Sequence, residues 1–269
     1  MIKRIARKFY NLLSDSKLKH SLSSVFYRIF YEKSLSDYRI KDGVFTAKFK
    51  NGIEVKSVRA FDPEAVCGEL FDYDFKEGST VMDLGGHYGI VAIFMAKSVG
   101  DKGKVVVFEA DPANFAVLQK NLDLNGVYNV TAVNKGVYNV SGELEFYSGG
   151  GYTSSFEKTD YVEKKNNNYS AIKVKVGRLD DEFLSLEIDG VDFIKMDIEG
   201  SEVPALEGMV EILEKFLPDL MIETHITEGK FTTPKVVEII EKIGYDKIEK
   251  KNYKGRGGFV FAGASRKHN

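Results

Sequence analysis

From residue 79 onward, short apolar runs of strand length alternate with longer stretches of helical spacing, and this alternation most restricts what the chain can become. STVMDL reads as a strand and YGIVAIFMAKSV as a helix, KVVVFEA as a strand and PANFAVLQKNLDLN as a helix, and NVTAVN as a strand. VDFIKMDI, VPALEGMVEILEKF, DLMIET and TPKVVEIIEKIG continue as strand, helix, strand and helix. Strands joined through helices pair in parallel and need cover on both faces. The expected fold is therefore α/β, a doubly wound and mainly parallel seven-stranded sheet. YDKIEKKNYKGRGGFVFAGAS differs: two strands about a polar, glycine-rich turn predict an antiparallel hairpin at the end of that sheet.

Two segments precede the alternating part. Residues 1–35 form a basic extension, with Ile2, Ile5, Ala6, Phe9, Leu12 and Leu13 at helical spacing and Lys3, Arg4, Arg7 and Lys8 on the other side. Such a helix packs on protein, within the chain or on a second copy in a homodimer, or makes peripheral membrane contact through residues 1–20. Residues 36–60 alternate apolar and polar side chains around Asp42-Gly43 and Asn51-Gly52, the pattern of a small β-hairpin cap. The main domain is then residues 61–269, interrupted by an insertion at 138–188, where an enzyme often keeps its selectivity.

Charge narrows the partners. Residues 1–33 hold eight Lys and Arg against two Asp and Glu, leaving a body with 30 basic and 38 acidic residues. An acidic body is a poor match for phosphate backbones, so nucleic acid is not an expected partner. The single cysteine, Cys67, fits a reducing compartment, and the charged N-terminus is neither a membrane span nor a secretory leader. A cytoplasmic location follows, with the inner membrane face as its one peripheral option.

Within STVMDLGGHYGIVAIFMA, residues 79–96, a strand passes directly into a helix through Asp83, Gly85, Gly86, His87 and Gly89. In doubly wound sheets ligands bind at such strand ends, and glycines there permit a tight turn and close backbone approach. A dinucleotide would call for G-x-G-x-x-G. Here the order is D-x-G-x-x-x-G, and an acid in the turn disfavours a pyrophosphate but suits an ammonium group. S-adenosyl-L-methionine carries an ammonium and a sulfonium. Glu109, next to Ala110 at the end of the second strand, lies about 20 residues past the turn, where an acid accepts hydrogen bonds from ribose hydroxyls. Asn134, closing the third strand, is a candidate for the adenine edge.

Together with FIKMDIEGSE at 193–202 and LMIETH at 220–225, these residues resemble the FkbM-type family of S-adenosylmethionine-dependent methyltransferases. DLGGHYG, FEADPANF, LQKNLDLN, KMDIEGSE and IETH occur in the family's order, and the resemblance covers roughly residues 60–262. It implies a Rossmann-like class I methyltransferase fold, with Asp197 near donor or acceptor. One departure is Gly86-His87 in place of the family's Ala-Asn, which exchanges an amide for an imidazole.

Transfer to a hydroxyl also needs alignment and a base. The candidates are His225, Asp197, Glu199 and Glu223, with Glu202 read as serving the dipole of the following helix. Glu223 and His225 share a face if both lie on a strand, which makes His225 the expected base and Glu223 its orienting partner or a clamp on sugar hydroxyls. Asp197, Glu199, Glu223 and His225 could also hold a divalent ion, but carboxylates at strand ends more often bind hydroxyls or each other, and no metal is assigned. The expected function is O-methyl transfer to a sugar hydroxyl of a glycan or glycolipid. The alternatives are a small secondary metabolite as acceptor, or a non-catalytic S-adenosylmethionine-binding module.

Overall fold

The structure, a computed structural model, describes residues 34–63, 67–148, 156, 170–227, 229–253 and 257–265. The expected N-terminal helix, most of 149–169 and the turn at 254–256 lie outside the described residues.

Three strands open the described chain: β1 (Leu35–Lys41), β2 (Val44–Phe49) and β3 (Glu54–Ser57), paired antiparallel in that order. Asp42 and Gly43 both take positive φ, 51° and 77°, which matches the strand twist in a two-residue hairpin. The central sheet follows: β4 (Thr80–Leu84), β5 (Lys104–Phe108), β6 (Val130–Val133), β10 (Phe193–Met196), β11 (Asp219–Thr224), β14 (Lys247–Tyr253) and β15 (Gly257–Gly263). Its spatial order is β14-β15-β11-β10-β4-β5-β6. β6, β5, β4, β10 and β11 run parallel, while β15 is antiparallel to both β11 and β14.

The central parallel strands are mostly apolar because both faces are covered. On one face Val81, Val105, Val107 and Phe193 pack with α1 (Ile90–Val99) and α2 (Pro112–Asn125). On the other, Met82, Val106, Ile194 and Ile222 meet α4 (Glu202–Glu207), α5 (Val210–Phe216) and α6 (Thr233–Ile243). A short α3 (Leu179–Glu182) joins this second layer through Leu179.

Helix α1 is buried on almost every side, as its composition requires. The β1–β3 sheet covers its outer side: Ala47, Phe49 and Val55 are buried, and the Phe49 and Phe94 rings meet edge to face at 5.0 Å. Two asparagines of LQKNLDLN fasten that sheet to α2. Asn125 Oδ1 accepts from the Lys56 amide at 2.9 Å, its Nδ2 donates to the Lys56 carbonyl at 2.7 Å, and Asn121 Oδ1 accepts from the Val58 amide at 2.9 Å.

VPALEGMVEILEKF, expected as one helix, is broken between α4 and α5. A Cβ at Gly208 would lie 2.0 Å from the Tyr138 carbonyl oxygen, so close passage of another backbone interrupts the helix there. The described part of the 138–188 insertion forms β8 (Gly142–Ser148) and β9 (Ser170–Gly177), which with β7 (Gly136–Val137) make a separate three-stranded sheet. No helix among the described residues is long and apolar enough to cross a membrane.

Candidate active site

The parallel strands β4, β5, β10 and β11 end side by side, and the loops leaving them build the site. In the turn after β4, Gly85, His87 and Gly89 have φ of 91°, 48° and 77°. The amides of Gly85 and Gly86 both donate to the Phe108 carbonyl, at 3.0 and 2.9 Å. Protein atoms, more than any ligand, demand the first two glycines. A Cβ on Gly85 would lie 1.9 Å from the Asp197 carbonyl oxygen, and one on Gly86 would lie 2.2 Å from Val107 Cγ2. At Gly89 the neighbour is Leu118 of α2, 2.9 Å from the would-be Cβ.

Asp83 departs from its expected place in the binding turn. It sits on β4 with no exposed surface, beneath the turn, and faces Lys195 in the adjoining register position of β10. Its Oδ1 is 3.4 Å from Lys195 Nζ, and neither carboxylate oxygen has a well-aligned hydrogen bond among the described residues. Burial pushes the Asp83 carboxyl up to about 6, with Lys195 holding it lower than burial alone would. Burial opposes the charge on Lys195, but Asp83, Asp197 and Glu223 outweigh it and raise the ammonium above its ordinary range.

A half-open cavity of about 150 Å³ lies over the strand ends. Gly85, His87, Glu109, Ala110, Asp197 and Glu199 line it, and Phe108, Val137, Phe146 and Phe156 give it an apolar wall. Glu109 ties two loops together: Oε2 accepts from the His87 amide at 2.6 Å and Oε1 from the Asp111 amide at 2.8 Å. Burial raises its carboxyl to about 7, partly offset by those two amides. Burial lowers His87 to about 4, so its ring, stacked on Tyr88 at 3.6 Å, is neutral near pH 7. Asn134 is not part of the wall. Its Nδ2 donates to the carbonyls of Glu109 and Ala110, at 2.8 and 3.4 Å, so it fixes the loop carrying Glu109.

On the opposite side Asp197, Glu199, Glu202, Glu223 and His225 converge, but not as expected. Glu202, not Glu223, orients the histidine: His225 Nδ1 lies 2.8 Å from Glu202 Oε1. Glu202 is fully buried and also accepts from the Gly200 amide at 2.8 Å and the Thr232 hydroxyl at 2.9 Å. Thr232 in turn donates its amide to the His225 carbonyl, at 2.9 Å. The turn through Glu199 and Gly200, with φ of 51° and 107°, brings the acid at 202 back beneath the one at 199. The D-x-E-G-x-E spacing with its central glycine is the signal that could have revealed this; Thr232 left none. Strand β11 ends at Thr224, so His225 lies just past the strand on which Glu223 stands.

His225 Nε2 points between Asp197 Oδ1, at 3.7 Å, and Glu199 Oε2, at 3.6 Å. Burial opposes protonation of this ring, yet the bond to Glu202 and the charges of Asp197 and Glu199 raise it to about 10. Burial and the neighbouring Asp197 charge raise both Glu199 and Glu223.

Residues 83–254 match the family described as Methyltransferase FkbM domain. A protein named Methyltransferase 1, from Beauveria bassiana, is 27% identical over 187 residues, covering 64% of this chain and 74% of that one. Methyltransferase sdnD of Sordaria araneosa is 26% identical over 196 residues, covering 62% and 73%. Among solved structures, the Methyltransferase FkbM of Methylobacillus flagellatus superposes with a TM-score of 0.48 at 21% identity, covering 70% of this chain and 44% of that one. The chain thus spans less than half of the length of that structure.

Proposed function

The chain belongs to the FkbM methyltransferases, which draw their methyl group from S-adenosylmethionine, and from that premise we propose transfer to oxygen, onto a sugar hydroxyl of a glycan or glycolipid. The observation carrying this proposal is the pairing, in one cavity, of Glu109 on one side with Asp197 and Glu199 on the other.

The residues present fit the donor. The cavity joins the turn after β4 to the loop carrying Glu109, where the two ends of a nucleoside-like ligand would lie. Glu109 uses two of a carboxylate's roughly four acceptor positions on loop amides and meets the Asn114 side chain as well, leaving the remainder for a ribose hydroxyl. When bound, S-adenosylmethionine supplies a methyl group on a sulfonium, which passes to a nucleophile while the carbon–sulfur bonding pair stays on sulfur.

The chain's own residues do the remainder. Carboxylates at Asp197 and Glu199 suit the hydrogen-bond donors of a polyol, and the Phe108, Val137 and Phe146 wall excludes water. Asp197 Oδ1 and Glu199 Oε2 both face His225, but Asp197 Oδ2 also faces Lys195, so Glu199, which burial and Asp197 raise to about 8, is the acid assigned to take the hydroxyl proton in its ionised form, leaving the O–H pair to form the new O–C bond. His225, held by Glu202, positions both acids. The basic residues 1–20 support docking to a membrane-borne acceptor, tested by vesicle flotation with and without that segment; unchanged flotation would overturn this part.

The deciding experiment is mass spectrometry of surface glycans from cells with and without the gene, paired with transfer of labelled methyl to purified glycan. Methylated hydroxyls that disappear with the gene are expected. Label arriving on nitrogen or on no glycan would refute the acceptor assignment.

A further inference from the structure

We propose that Asp197, Glu199 and His225 form a binding site for one divalent cation, of the hard class represented by Mn²⁺ and Mg²⁺. One donor atom from each residue lies within 4.8 Å of the other two. The separations of His225 Nε2 from the two carboxylate oxygens, 3.7 and 3.6 Å, exceed the ~3.2 Å limit of an N–H···O hydrogen bond. They match instead two ligands of one ion about 2.1–2.2 Å away, subtending an angle of about 115°.

The second observation lies outside the three ligands. Glu202 receives donors from Gly200 and Thr232 and takes its third from His225 Nδ1, an arrangement that fixes the ring and directs Nε2 into the gap. A buried carboxylate behind a ligating imidazole is the usual outer support of a metal-bound histidine. Among the described residues His225 Nε2 is at ion-pair distance from the two acids but makes no hydrogen bond to either, so a divalent ion would take the place of the Nε2 proton between them. Lys195, the nearest other cation, faces Asp83 and the far oxygen of Asp197, leaving Oδ1 toward the gap.

Asp197 and Glu199 also line the cavity, so remaining coordination positions open toward the acceptor and would take oxygens of a vicinal diol. That contact rests on the O-methyl proposal; the cation site itself does not. Glu199 can serve as ligand through Oε2 while its other oxygen takes the proton.

The test is titration of the chelator-stripped protein with Mn²⁺, read by electron paramagnetic resonance and calorimetry, with circular dichroism confirming each variant's fold. Saturable uptake of one Mn²⁺ per chain is expected. Glu199→Gln and His225→Gln should each weaken it about tenfold or more, with Asp197→Asn as substitute should either misfold. Glu238→Gln, on the exposed face of α6, should leave uptake unchanged. No saturable uptake, or uptake indifferent to the ligand substitutions, would overturn the site. Binding of S-adenosylhomocysteine in chelator keeps the two failures apart. If it persists without Mn²⁺ uptake, the cation site falls and the methyltransferase assignment stands. Mn²⁺ uptake without glycan methylation leaves the site and removes the acceptor.

Discussion

The turn after β4 offers a prediction that separates packing from ligand contact. Gly86→Ala places a Cβ 2.2 Å from Val107 Cγ2, with Leu118 Cδ1 next at 3.1 Å and the Phe108 carbonyl oxygen at 3.6 Å. Normal carbon–carbon contact is about 3.5–4.0 Å, so the added methyl must displace a side chain of the central sheet by more than 1 Å, roughly. Overpacking of this kind costs about 1–3 kcal/mol. Val107→Ala alone leaves a small cavity in the buried layer and costs about 1–2 kcal/mol, on the lower side of large-to-small core changes. In the double variant the clashing atom is gone and the nearest neighbour is the end of a leucine side chain. The two losses should then fall short of additivity by about 1–2 kcal/mol. Urea unfolding of the four proteins without ligand measures the coupling, and calorimetry with S-adenosylhomocysteine measures binding. Additive losses, or a Gly86→Ala protein of unchanged stability that merely binds the donor less tightly, would refute the argument that the neighbouring strand requires this glycine.

Glu202→Ala removes one acceptor from the buried Gly200 amide, the Thr232 hydroxyl and the His225 ring, and should cost about 3–5 kcal/mol in unfolding free energy; a loss under about 1 kcal/mol would contradict the network. Asp83→Asn leaves Lys195 buried beside a neutral partner and should cost about 3–5 kcal/mol, with Lys195→Met recovering part of it in the double variant. Equal losses in the single and double variants would sink that pairing. Glu109 holds its proton up to about 7 in the folded chain, against 4.5 for the ordinary group. Its contribution to ligand-free stability is thus present below pH 4.5 and is lost as pH rises through 7, by up to about 3 kcal/mol relative to Glu109→Gln. S-adenosylhomocysteine needs the ionised carboxylate, so its affinity should fall as pH drops below 7 in the parent and stay flat in Glu109→Gln. A parent whose affinity ignores pH between 6 and 8 would contradict the ribose contact.

The alternation of strand and helix was legible because a strand buried on both faces has no choice but to be apolar, and its connecting helices show through their caps. Asp111 caps α2 by accepting from the Ala113 and Asn114 amides, and its signal DPANF is local. Partners distant in sequence were not legible. Lys195 and Asp83 meet only because β10 lies beside β4, a neighbour relation that no periodicity encodes. Glu202 does stand in the first turn of α4, as read, but its second role was hidden for the same reason: its partners His225 and Thr232 arrive 23 and 30 residues later, through the loop leaving another strand. Glu223 and His225 misled because alternation along a strand predicts a shared face only while the strand continues, and β11 stops between them.

The order of the central sheet has a practical consequence for anyone trimming the gene. The matched stretch stops at Lys254, yet β15, which begins at Gly257, is wedged between β14 and β11. A clone cut to that stretch would leave β14 severed from its only partner and bare a raw hydrogen-bonding edge on β11. It would also discard Leu35–Ser57, stripping the outer flank of α1 down to Phe94. Such a fragment should come out of cells as insoluble material, while one starting at Ser34 and ending after Ser265 keeps every described strand.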